Sequence, residues 1–382
     1  MRKLRILQTN MHSGGWGGQP HMVLLIAKKI RDKGHFVLVA APKGSTLVKR
    51  AREEGIDTYD DLTFQRGFHP FILFSELFKL KRVIERYDID ILHTHGSQDT
   101  WAGALSSIFI KKNLILIRTR HNTFQVKYNL FNRLLYKYLI DKLFIVSSGV
   151  KKEFEKFIQG GELSEKRILT IHPGIDLNTF NLSLNGKKIR DELSLDGNKI
   201  LIGVIGRLAK EKGHIFFLKA AAEVAKKINE ARFLIVGEGP LRKELEEESV
   251  RLGLEGKILF LGFRSDIPEI NAALDISVLP SIACESASLV IKESMALKKA
   301  VISTSFPGVT ETIADGENGV IVPPGDHTAM ADAMIRIISN QEIRKRLGEK
   351  GRQTIEKNFT EDVFINRIEE AYYNTMIEKG FL

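Results

Sequence analysis

Two glutamates, Glu285 and Glu293, flank seven mostly small or apolar residues in the segment E285-S-A-S-L-V-I-K-E293. A carboxylate accepts hydrogen bonds from sugar hydroxyls but repels phosphates. If a helix begins near Ser286–Ser288, its first amides and partial positive charge form an anion site between the glutamates. At about 1.5 Å per residue, Glu293 then lies about two turns inside the helix, roughly 12 Å along. The spacing suits a nucleotide-sugar, with ribose at Glu293, diphosphate at the helix end and the transferred sugar at Glu285.

A basic pair, Arg207 and Lys212, follows a predicted strand in I205-G-R-L-A-K-E-K-G213. Ligands of α/β sheets bind at the carboxyl ends of the strands. Arginine offers a planar fork for phosphate oxygens and lysine a compact charge, so together they could neutralise a leaving diphosphate without a metal. The D-x-D sequence D88-I-D90 lies where a basic helix meets a strand, and we interpret it as an acidic turn rather than a metal site.

A glycine-rich loop, N10-M-H-S-G-G-W-G-G-Q-P-H21, joins the first predicted strand to a helix. Glycines in such a loop let the backbone approach a phosphate or sugar and direct its amides toward it. Gly15 and Gly17 fit the first two positions of a dinucleotide fingerprint, but Pro20 occupies the third. The next strand ends in A40-A-P-K43, without the acidic residue that binds a ribose. The loop therefore does not indicate an NAD site.

The elements that position these residues are short apolar strands alternating with helices, the pattern of parallel α/β sheets. One series of predicted strands covers Leu4–Thr9, Phe36–Ala41, Ile89–His93, Leu114–Thr119, Leu143–Ser147 and Ile168–Ile171. A second series covers Ile200–Ile205, Arg232–Val236, Ile258–Leu261, Ile276–Leu279, Ala300–Thr304 and Gly319–Val322. We therefore expect two doubly wound domains with the ligand site in the cleft between them.

The composition is that of a soluble globular protein, with 43% apolar and 27% charged residues among 382. No apolar run approaches the roughly 18 residues of a spanning helix, and the first ten residues lack the apolar core of a secretory signal. A single cysteine, Cys284, cannot form an internal disulfide. We expect a cytoplasmic location, and at Cys284 a side chain that fills a small space rather than a reactive thiol.

The positive charge is concentrated in the first half of the chain. Residues 1–177 carry 29 Lys and Arg against 17 Asp and Glu, a net of +12, whereas the remainder carries 28 against 30. Such asymmetry suggests an anionic partner, for which a membrane surface, an acidic glycolipid and nucleic acid all qualify. Aromatic and basic residues are interleaved in 64–82 and 124–138, which could dock peripherally on anionic lipid or hold a lipid-linked acceptor. No nucleic-acid recognition motif accompanies them.

The chain resembles retaining GT-B glycosyltransferases of family 4, also called glycosyl transferases group 1. Their E-x7-E motif matches E285-S-A-S-L-V-I-K-E293. Their other landmarks follow in order as G17-G-Q-P-H-M-V-L-L-I-A27, V146-S-S-G-V150, H172-P-G-I-D176, G206-R-L-A-K-E-K-G213, Val236-Gly-Glu-Gly-Pro240, L261-G-F263 and D315-G-E-N-G319. Four positions depart from the family pattern, since Ser286 replaces a glycine, Ser294 replaces an alanine, and K298-K-A300 replaces a Gly-x-Pro. The change beside Glu285 bears on which sugar is transferred.

The resemblance implies a role for each matching residue. Arg207 and Lys212 match the diphosphate-binding pair, Glu285 the sugar-contacting glutamate and Glu293 the ribose-binding glutamate. His121 matches a histidine near the reacting centre. The implied catalytic residues are His121, Glu285, Arg207 and Lys212. The implied donor-binding residues are Gly17, Gly18, Arg207, Lys212, Gly262, Phe263, Arg264, Glu285, Leu289, Val290 and Glu293.

The resemblance also implies a division of labour along the chain. Residues 1–177 would form an acceptor-binding Rossmann-like domain and residues 178–360 a nucleotide-sugar-binding one. Residues 361–382 would form a terminal helix, with return to the N-terminal domain as one possible packing.

The expected activity is retaining transfer of a hexosyl-type sugar from a nucleotide-sugar, with a UDP-sugar favoured, to a glycan or lipid-linked acceptor. Lipopolysaccharide or surface polysaccharide synthesis in bacteria is the expected setting, at the inner face of the cytoplasmic membrane. No metal or other cofactor is expected. A sugar-nucleotide epimerase or hydrolase of the same fold and, less favoured, a basic nucleic-acid-binding protein are the alternatives.

Overall fold

The computed structural model describes residues 2–14, 17–65, 67, 69–283 and 285–382. The predictions that concern Gly15, Trp16, Arg66, Phe68 and Cys284 lie outside these residues. The chain forms two compact units. The first consists of the chain up to His172 together with Phe364–Leu382, and the second is Pro173–Val363.

The first unit is built on a seven-stranded sheet whose paired strands all run parallel. Its strands are β1 (Arg5–Thr9), β2 (Phe36–Ala40), β3 (Asp57–Tyr59), β4 (Ile91–Thr94), β5 (Ile115–Arg120), β6 (Lys142–Ile145) and β7 (Ile168–Thr170). They lie in the order β3-β2-β1-β4-β5-β6-β7. Its helices are α1 (Gly18–Asp32), α2 (Thr46–Glu53), α3 (Pro70–Arg86), α4 (Ser97–Ile108), α5 (Leu130–Leu134), α6 (Ser148–Lys151) and α7 (Glu155–Gln159).

The second unit repeats this plan with a six-stranded parallel sheet. Its strands are β8 (Ile200–Ile205), β9 (Ala231–Val236), β10 (Ile258–Gly262), β11 (Ile276–Leu279), β12 (Ala300–Thr304) and β13 (Val320–Val322), in the order β10-β9-β8-β11-β12-β13. Its helices are α8 (Lys187–Glu192), α9 (His214–Lys227), α10 (Arg242–Arg251), α11 (Ile267–Ala273), α12 (Leu289–Ala296), α13 (Pro307–Thr310), α14 (His327–Ser339) and α15 (Gln341–Asn358).

The prediction of two doubly wound Rossmann-like domains is confirmed. Every predicted strand forms, and most of the predicted bounds agree within two residues with those of the structure. Strand β3 escaped prediction because it has only three residues and lies at the sheet edge, where its side chains stay partly exposed. The apolar runs are predictive because central strands of a parallel sheet are buried on both faces.

Helix α16 (Glu361–Glu378) packs into the core of the first unit. Its residues Phe364, Ile368 and Tyr372, which recur at helical spacing, are all buried beside strand residues such as Ile6 and Ile117. The Tyr373 hydroxyl donates to the Arg2 carbonyl oxygen at 2.7 Å. The chain thus closes the first unit with its last helix.

The other helices bury one face and expose the opposite one. In α1, Val23, Ile26, Ala27 and Ile30 are buried, and basic residues stand in its last turn. This spacing is that of an amphipathic helix covering a sheet. Among the residues that the structure describes, no helix combines the length and apolar character needed to cross a membrane.

Candidate functional site

The sheet order of the second unit places two predicted segments side by side. Strand β8 lies next to β11, although β9 and β10 come between them in sequence. Both strands run in the same direction, so the loop after β8 with Arg207 and Lys212 and the loop after β11 with Glu285 leave the same edge of the sheet. This is the switch point at which doubly wound sheets bind ligands.

Lys212 and Glu285 form an ion pair across these two loops. The Glu285 side chain is buried, with 7% of it exposed, and its carboxylate also accepts a hydrogen bond from the Ser281 hydroxyl at 2.6 Å. The Ile282 amide donates to the Glu211 carbonyl oxygen at 2.9 Å, which joins the loop backbones as well. The buried carboxylate is therefore fixed by a charge partner and a hydroxyl donor.

Two glycines allow the loops to approach so closely. Gly213 has a φ of +67°, and a side chain there would place a Cβ 2.0 Å from the Pro280 carbonyl oxygen. Gly237, with a φ of +137°, would meet the Gly206 carbonyl oxygen at 2.0 Å, and its amide donates to the Gly262 carbonyl oxygen at 2.8 Å. The loops after β8, β9, β10 and β11 are thus held together through backbone contacts that only glycine permits.

Arg207 is exposed at this edge. Within the part of the chain that the structure describes, its guanidinium makes no hydrogen bond or ion pair. A guanidinium with five free donors beside a second cation is suited to bind an oxyanion. The structure thus leaves Arg207 available, whereas Lys212 is already engaged with Glu285.

Helix α12 begins at Leu289, later than the predicted start near Ser286–Ser288. Ser288 precedes it in a left-handed conformation with a φ of 49°, so the residues before it are not helical. Glu293 is consequently the fifth residue of the helix, about one turn inside it rather than the predicted two. In the described part of the chain no side chain caps this end. The amides of Leu289 and Val290 therefore have no partner within the helix, as an anion site requires.

Glu293 is partly buried, and its carboxylate has no hydrogen-bond or charge partner among the described residues. Burial raises its pKa to about 7, because removal from water disfavours the ionised form. A carboxyl group left without a partner lowers the stability of the fold, and such groups are typical of binding sites.

We predict that Glu293→Gln stabilises the protein above pH 7. The folded state binds the Glu293 proton more tightly than the unfolded chain does, so the free energy of unfolding falls as pH rises from about 4.5 to 7. The amide lacks this penalty, and we expect a gain of about 1–3 kcal/mol at pH 8 and little change at pH 4.5. Urea denaturation at both values measures it. The exposed Glu244→Gln is the control, and equal gains at both pH values would contradict the prediction.

The loop Gly262–Arg264 follows β10 at the same edge. The Phe263 ring is 78% exposed, while the Arg264 guanidinium is held by Asp266 at 2.6 Å and Glu192 at 2.5 Å. Arg264 is thus committed within the second unit. What the loop offers to a ligand is its backbone and the flat Phe263 ring, on which a nucleobase could stack.

The remaining predicted residues, Gly17, Gly18 and His121, lie in the first unit. Gly17 precedes α1 and Gly18 begins it, and a Cβ built at either position would meet no atom within 4 Å. His121 follows β5. All three stand at or after the carboxyl ends of strands of this sheet, the edge at which ligands are expected.

His121 belongs to a chain of hydrogen bonds that reaches the core. Its Nε2 lies 2.9 Å from Nδ1 of His95, and Nε2 of His95 lies 2.6 Å from the Gln8 amide oxygen. The Gln8 amide nitrogen donates to the Tyr372 hydroxyl at 3.0 Å, which lies 2.7 Å from Nδ1 of His93. Because the Gln8 oxygen only accepts, His95 carries its proton on Nε2 and accepts from His121. The Nδ1 lone pair of His121 is then left for a hydroxyl.

Burial keeps this histidine neutral. The pKa of His121 falls to about 3, first because of burial and then because of the Arg120 charge. Burial lowers the pKa of His95 well below its usual value, and that of His93 to about 3. His121 can therefore offer a hydrogen bond to a ligand but not a positive charge at neutral pH.

The acidic residues of the D-x-D sequence have structural partners. Asp88 pairs with Lys112 at 2.6 Å, and Asp90 pairs with Arg2 at 2.7 Å. The Asp90 carboxylate also accepts from the Arg5 amide at 2.9 Å. Across the described ranges, no three His, Cys, Asp or Glu side chains are grouped so that they could hold a metal ion.

Sequence reasoning missed several residues of these networks. Ser281 fixes Glu285, and its position directly after β11 and Pro280 was the available signal. The Ser288 hydroxyl is buried at the start of α12 without a hydrogen-bond partner in the described residues. His95 directly contacts His121, and Gln8 lies behind it. Nothing in the local sequence of Gln8 indicates that contact.

Two protein-family models match the chain. The model described as Glycosyltransferase Family 4 matches residues 16–179. The model described as Glycosyl transferases group 1 matches residues 185–354, which include Arg207, Lys212, Glu285 and Glu293. Together they span most of the sequence, one in each half.

Individual proteins show the same similarity. The chain is 34% identical to an alpha-D-kanosaminyltransferase of Streptomyces kanamyceticus over 164 residues, so it spans only 42% of that relative. It is 23% identical over 315 residues, 80% of each chain, to the UDP-Gal:alpha-D-GlcNAc-diphosphoundecaprenol alpha-1,3-galactosyltransferase of Escherichia coli. A crystal structure of a glycosyltransferase from Rickettsia africae shares the fold, with a TM-score of 0.87, 24% identity, and coverage of 98% of this chain and 99% of that one.

Proposed function

Because the chain belongs to the glycosyltransferases of family 4 and group 1, we propose that it moves a sugar from a UDP-sugar to a lipid-linked or glycan acceptor with retention of configuration. The ion pair of Lys212 with Glu285 carries this proposal. It joins the loop after β8, which would bind the phosphates, to the loop after β11, which would contact the sugar, beside the free amides of α12. A diphosphate and a sugar could thus be held by neighbouring groups of one sheet edge.

Different parts of the donor would contact different groups of this site. Arg207, Lys212 and the amides of Leu289 and Val290 would bind the diphosphate, while Glu293 would accept from the ribose hydroxyls. The ring of Phe263 would stack on the base. A uridine nucleotide is favoured because the name of the Escherichia coli relative specifies UDP-galactose as its donor.

The reaction would proceed with the protein holding reactants rather than forming a bond to them. The bond between the sugar C1 and the diphosphate oxygen breaks as the acceptor oxygen bonds to C1 on the same face. The departing phosphate oxygen takes the acceptor's proton. Arg207, Lys212 and the end of α12 would stabilise the charge that develops on the diphosphate. Glu285, fixed by Lys212 and Ser281, would orient the sugar and stabilise the positive charge that develops on it.

We propose further that no metal takes part, because two cationic side chains and a helix end can neutralise the diphosphate. The acceptor would be a lipid-linked intermediate of a bacterial surface polysaccharide or lipopolysaccharide. The support is the acceptor named for the Escherichia coli relative, a diphosphoundecaprenol. The protein would then act in the cytoplasm, bound peripherally to the inner face of the membrane through its basic half.

A thermal-shift panel of UDP-, GDP- and ADP-sugars tests the donor assignment. A ligand at 100 times its dissociation constant stabilises the folded state by about 2.7 kcal/mol. For a unit of this size that corresponds to a rise of about 5–10 °C in melting temperature. We expect such a rise with UDP-sugars and less than about 1 °C with the others. Absence of a rise with every UDP-sugar would reject the donor.

Product analysis then distinguishes transfer from other reactions of a sugar nucleotide. Incubation of the stabilising UDP-sugar with a prenyl-diphosphate-linked sugar should release UDP and extend the acceptor. The anomeric configuration of the new bond, read by NMR, tests retention. An altered sugar still attached to UDP would indicate an epimerase, and free sugar without an extended acceptor a hydrolase. Activity that survives EDTA tests the proposal that no metal is needed.

A further inference from the structure

The two segments that interleave aromatic and basic residues meet at one recess in the first unit. Its walls come from α3, α4, the start of α5 and the loop before α3. Ile72 and Leu73 belong to the first segment and Phe131 to the second, although nearly sixty residues separate them. The recess has a volume of about 640 Å³, within the range of roughly 300–1,000 Å³ for ligand sites. We call it the α3–α4 recess.

The wall of this recess is largely apolar. Trp101 and Leu105 on α4 line it together with Ile72, Leu73 and Phe131. The carboxylate of Glu76, which also borders it, is occupied, since it accepts from the Thr63 amide at 2.7 Å and the Thr63 hydroxyl at 2.8 Å. The Glu76 carboxylate is thus hydrogen-bonded to the loop that contains Thr63. An apolar chain would bury its surface here without displacing an ion pair.

Exposed apolar side chains continue outward from the recess. Phe71 on α3 is 90% exposed and Phe131 on α5 is 70% exposed. Phe74 and Phe78 extend the strip along α3, with their rings 4.8 Å apart. Contiguous exposed aromatic surface of this kind marks a binding site on a soluble protein.

A second recess adjoins the first at the functional edge of the sheet. It has a volume of about 470 Å³ and is lined by the loop after β1, including His12 and Ser13, and by Thr63 and Phe64. Gln65 borders both recesses. We call this one the β1-loop recess. A molecule lying past Gln65 would have one end beside the glycine-rich loop and the other among apolar side chains.

The charge of this region fits an anionic head group. Residues 1–177 carry a net charge of +12. Arg82 on α3, Lys127 before α5 and Lys137 after it have no carboxylate partner in the described part of the chain. A positive field of this kind attracts a diphosphate and raises its local concentration.

We propose that the α3–α4 recess binds the hydrocarbon chain of a prenyl diphosphate acceptor, with the diphosphate lying toward Gln65 and the β1-loop recess. The convergence of two separate aromatic segments on one apolar cavity, next to a second cavity lined by both polar and apolar residues of the loop after β1, carries this inference. The identification of the prenyl diphosphate as the acceptor rests on the proposed function. The binding of a prenyl chain in the recess does not depend on that function.

Trp101 provides a direct measurement, because it lines the recess and the chain has a single further tryptophan, Trp16, which can be replaced. In a Trp16→Phe protein, the emission of Trp101 is followed during titration with farnesyl diphosphate, geranyl diphosphate or inorganic diphosphate. All are kept at concentrations below micelle formation. We expect a saturable change with farnesyl diphosphate and binding at least tenfold weaker with geranyl diphosphate, which has five fewer carbons. Inorganic diphosphate should leave the emission unchanged.

Two variants in the same background locate the chain. Leu105→Gln and Phe131→Gln each place a polar group at the wall and should weaken farnesyl diphosphate binding at least tenfold. Leu182→Gln changes an apolar residue of the second unit that is 50% exposed, and it should have no effect. Circular dichroism and the melting temperature show whether each variant is folded, and both wall positions lie at least partly on the surface.

Three results would overturn the proposal. In the first, farnesyl diphosphate and inorganic diphosphate change the Trp101 emission equally. In the second, Leu105→Gln and Leu182→Gln weaken the binding of farnesyl diphosphate equally. In the third, vesicles of phosphatidylglycerol and phosphatidylcholine change the Trp101 emission while free farnesyl diphosphate does not. That result would indicate that a membrane surface covers the α3–α4 recess. Because no donor is present, any of these results leaves the UDP-sugar test intact. Chain binding without any response to UDP-sugars would keep the recess and reject the transfer reaction.

Discussion

Replacement of Arg207 by alanine is expected to weaken UDP binding by about 10- to 100-fold, measured by isothermal titration calorimetry. A hydrogen bond between a charged donor and a phosphate contributes about 1.5–3 kcal/mol, which gives this range. The free energy of unfolding without ligand should change by less than about 0.5 kcal/mol, because Arg207 is exposed and is not engaged with other described residues. The loss would therefore be a loss of binding alone.

Replacement of Lys212 would not give so clear a result in the UDP binding measurement. Its removal leaves the Glu285 carboxylate buried without its charge partner, which destabilises the loop itself. A weaker affinity in a Lys212 variant would then have two causes. An Arg207 variant separates these two causes, because Arg207 would contribute to binding and is not part of the packing around the site.

Arg251→Ala is the matched control for Arg207→Ala. Arg251 lies at the end of α10 and is well exposed, and among the described residues its ion pairs are with Glu247 and Glu248 of its own helix. Its replacement removes the same charge from the same unit and should leave UDP binding within about twofold. Unchanged affinity in the Arg207 variant, or an equal loss in both, would show that the diphosphate binds elsewhere.

Glu285→Gln is expected to lower the rate of sugar transfer by about 10²- to 10³-fold while UDP still binds. Groups that stabilise a transition state in a closed site commonly contribute effects of this size. The amide keeps the shape of the carboxylate but cannot hold a developing positive charge on the sugar. UDP affinity should stay equal or increase, because Lys212 loses its negative partner and a repulsive charge near the diphosphate disappears.

The measurement is the initial rate of UDP release at saturating UDP-sugar and prenyl-linked acceptor, beside calorimetry with UDP. Glu349→Gln is the matched control, because Glu349, like Glu285, forms an ion pair with a lysine. Its partner is Lys298 at 2.9 Å, on the surface of the same unit. That variant should retain its rate within about twofold. A Glu285 variant that keeps more than a third of the rate would exclude a part for this carboxylate in the reaction.

Much of the fold follows from local sequence. The central strands of both sheets are buried on both faces, so they appear as apolar runs such as Ile200–Ile205 and Ile276–Leu279. Turn residues and amphipathic helices fill the intervals. The short edge strand β3 lacks that pattern, and it was missed for that reason.

The prediction of donor-site residues also came from the sequence, because their chemical types and their order along the chain match a known family. The sequence did not predict where helix α12 begins. Its start depends on Ser288 adopting a left-handed conformation, and this places Glu293 one turn inside the helix instead of two. The local residues were compatible with either start.

The sequence by itself determined which residue types are present and which segments form strands and helices, since these depend on neighbours a few positions apart. Only the tertiary structure decided which of them meet. Lys212 reaches Glu285 across 73 positions because β8 and β11 are adjacent in the sheet, and Gln8 reaches His121 through His95 because β1, β4 and β5 are adjacent in the other. The order of strands arises from packing of the whole chain, so no local pattern encodes it.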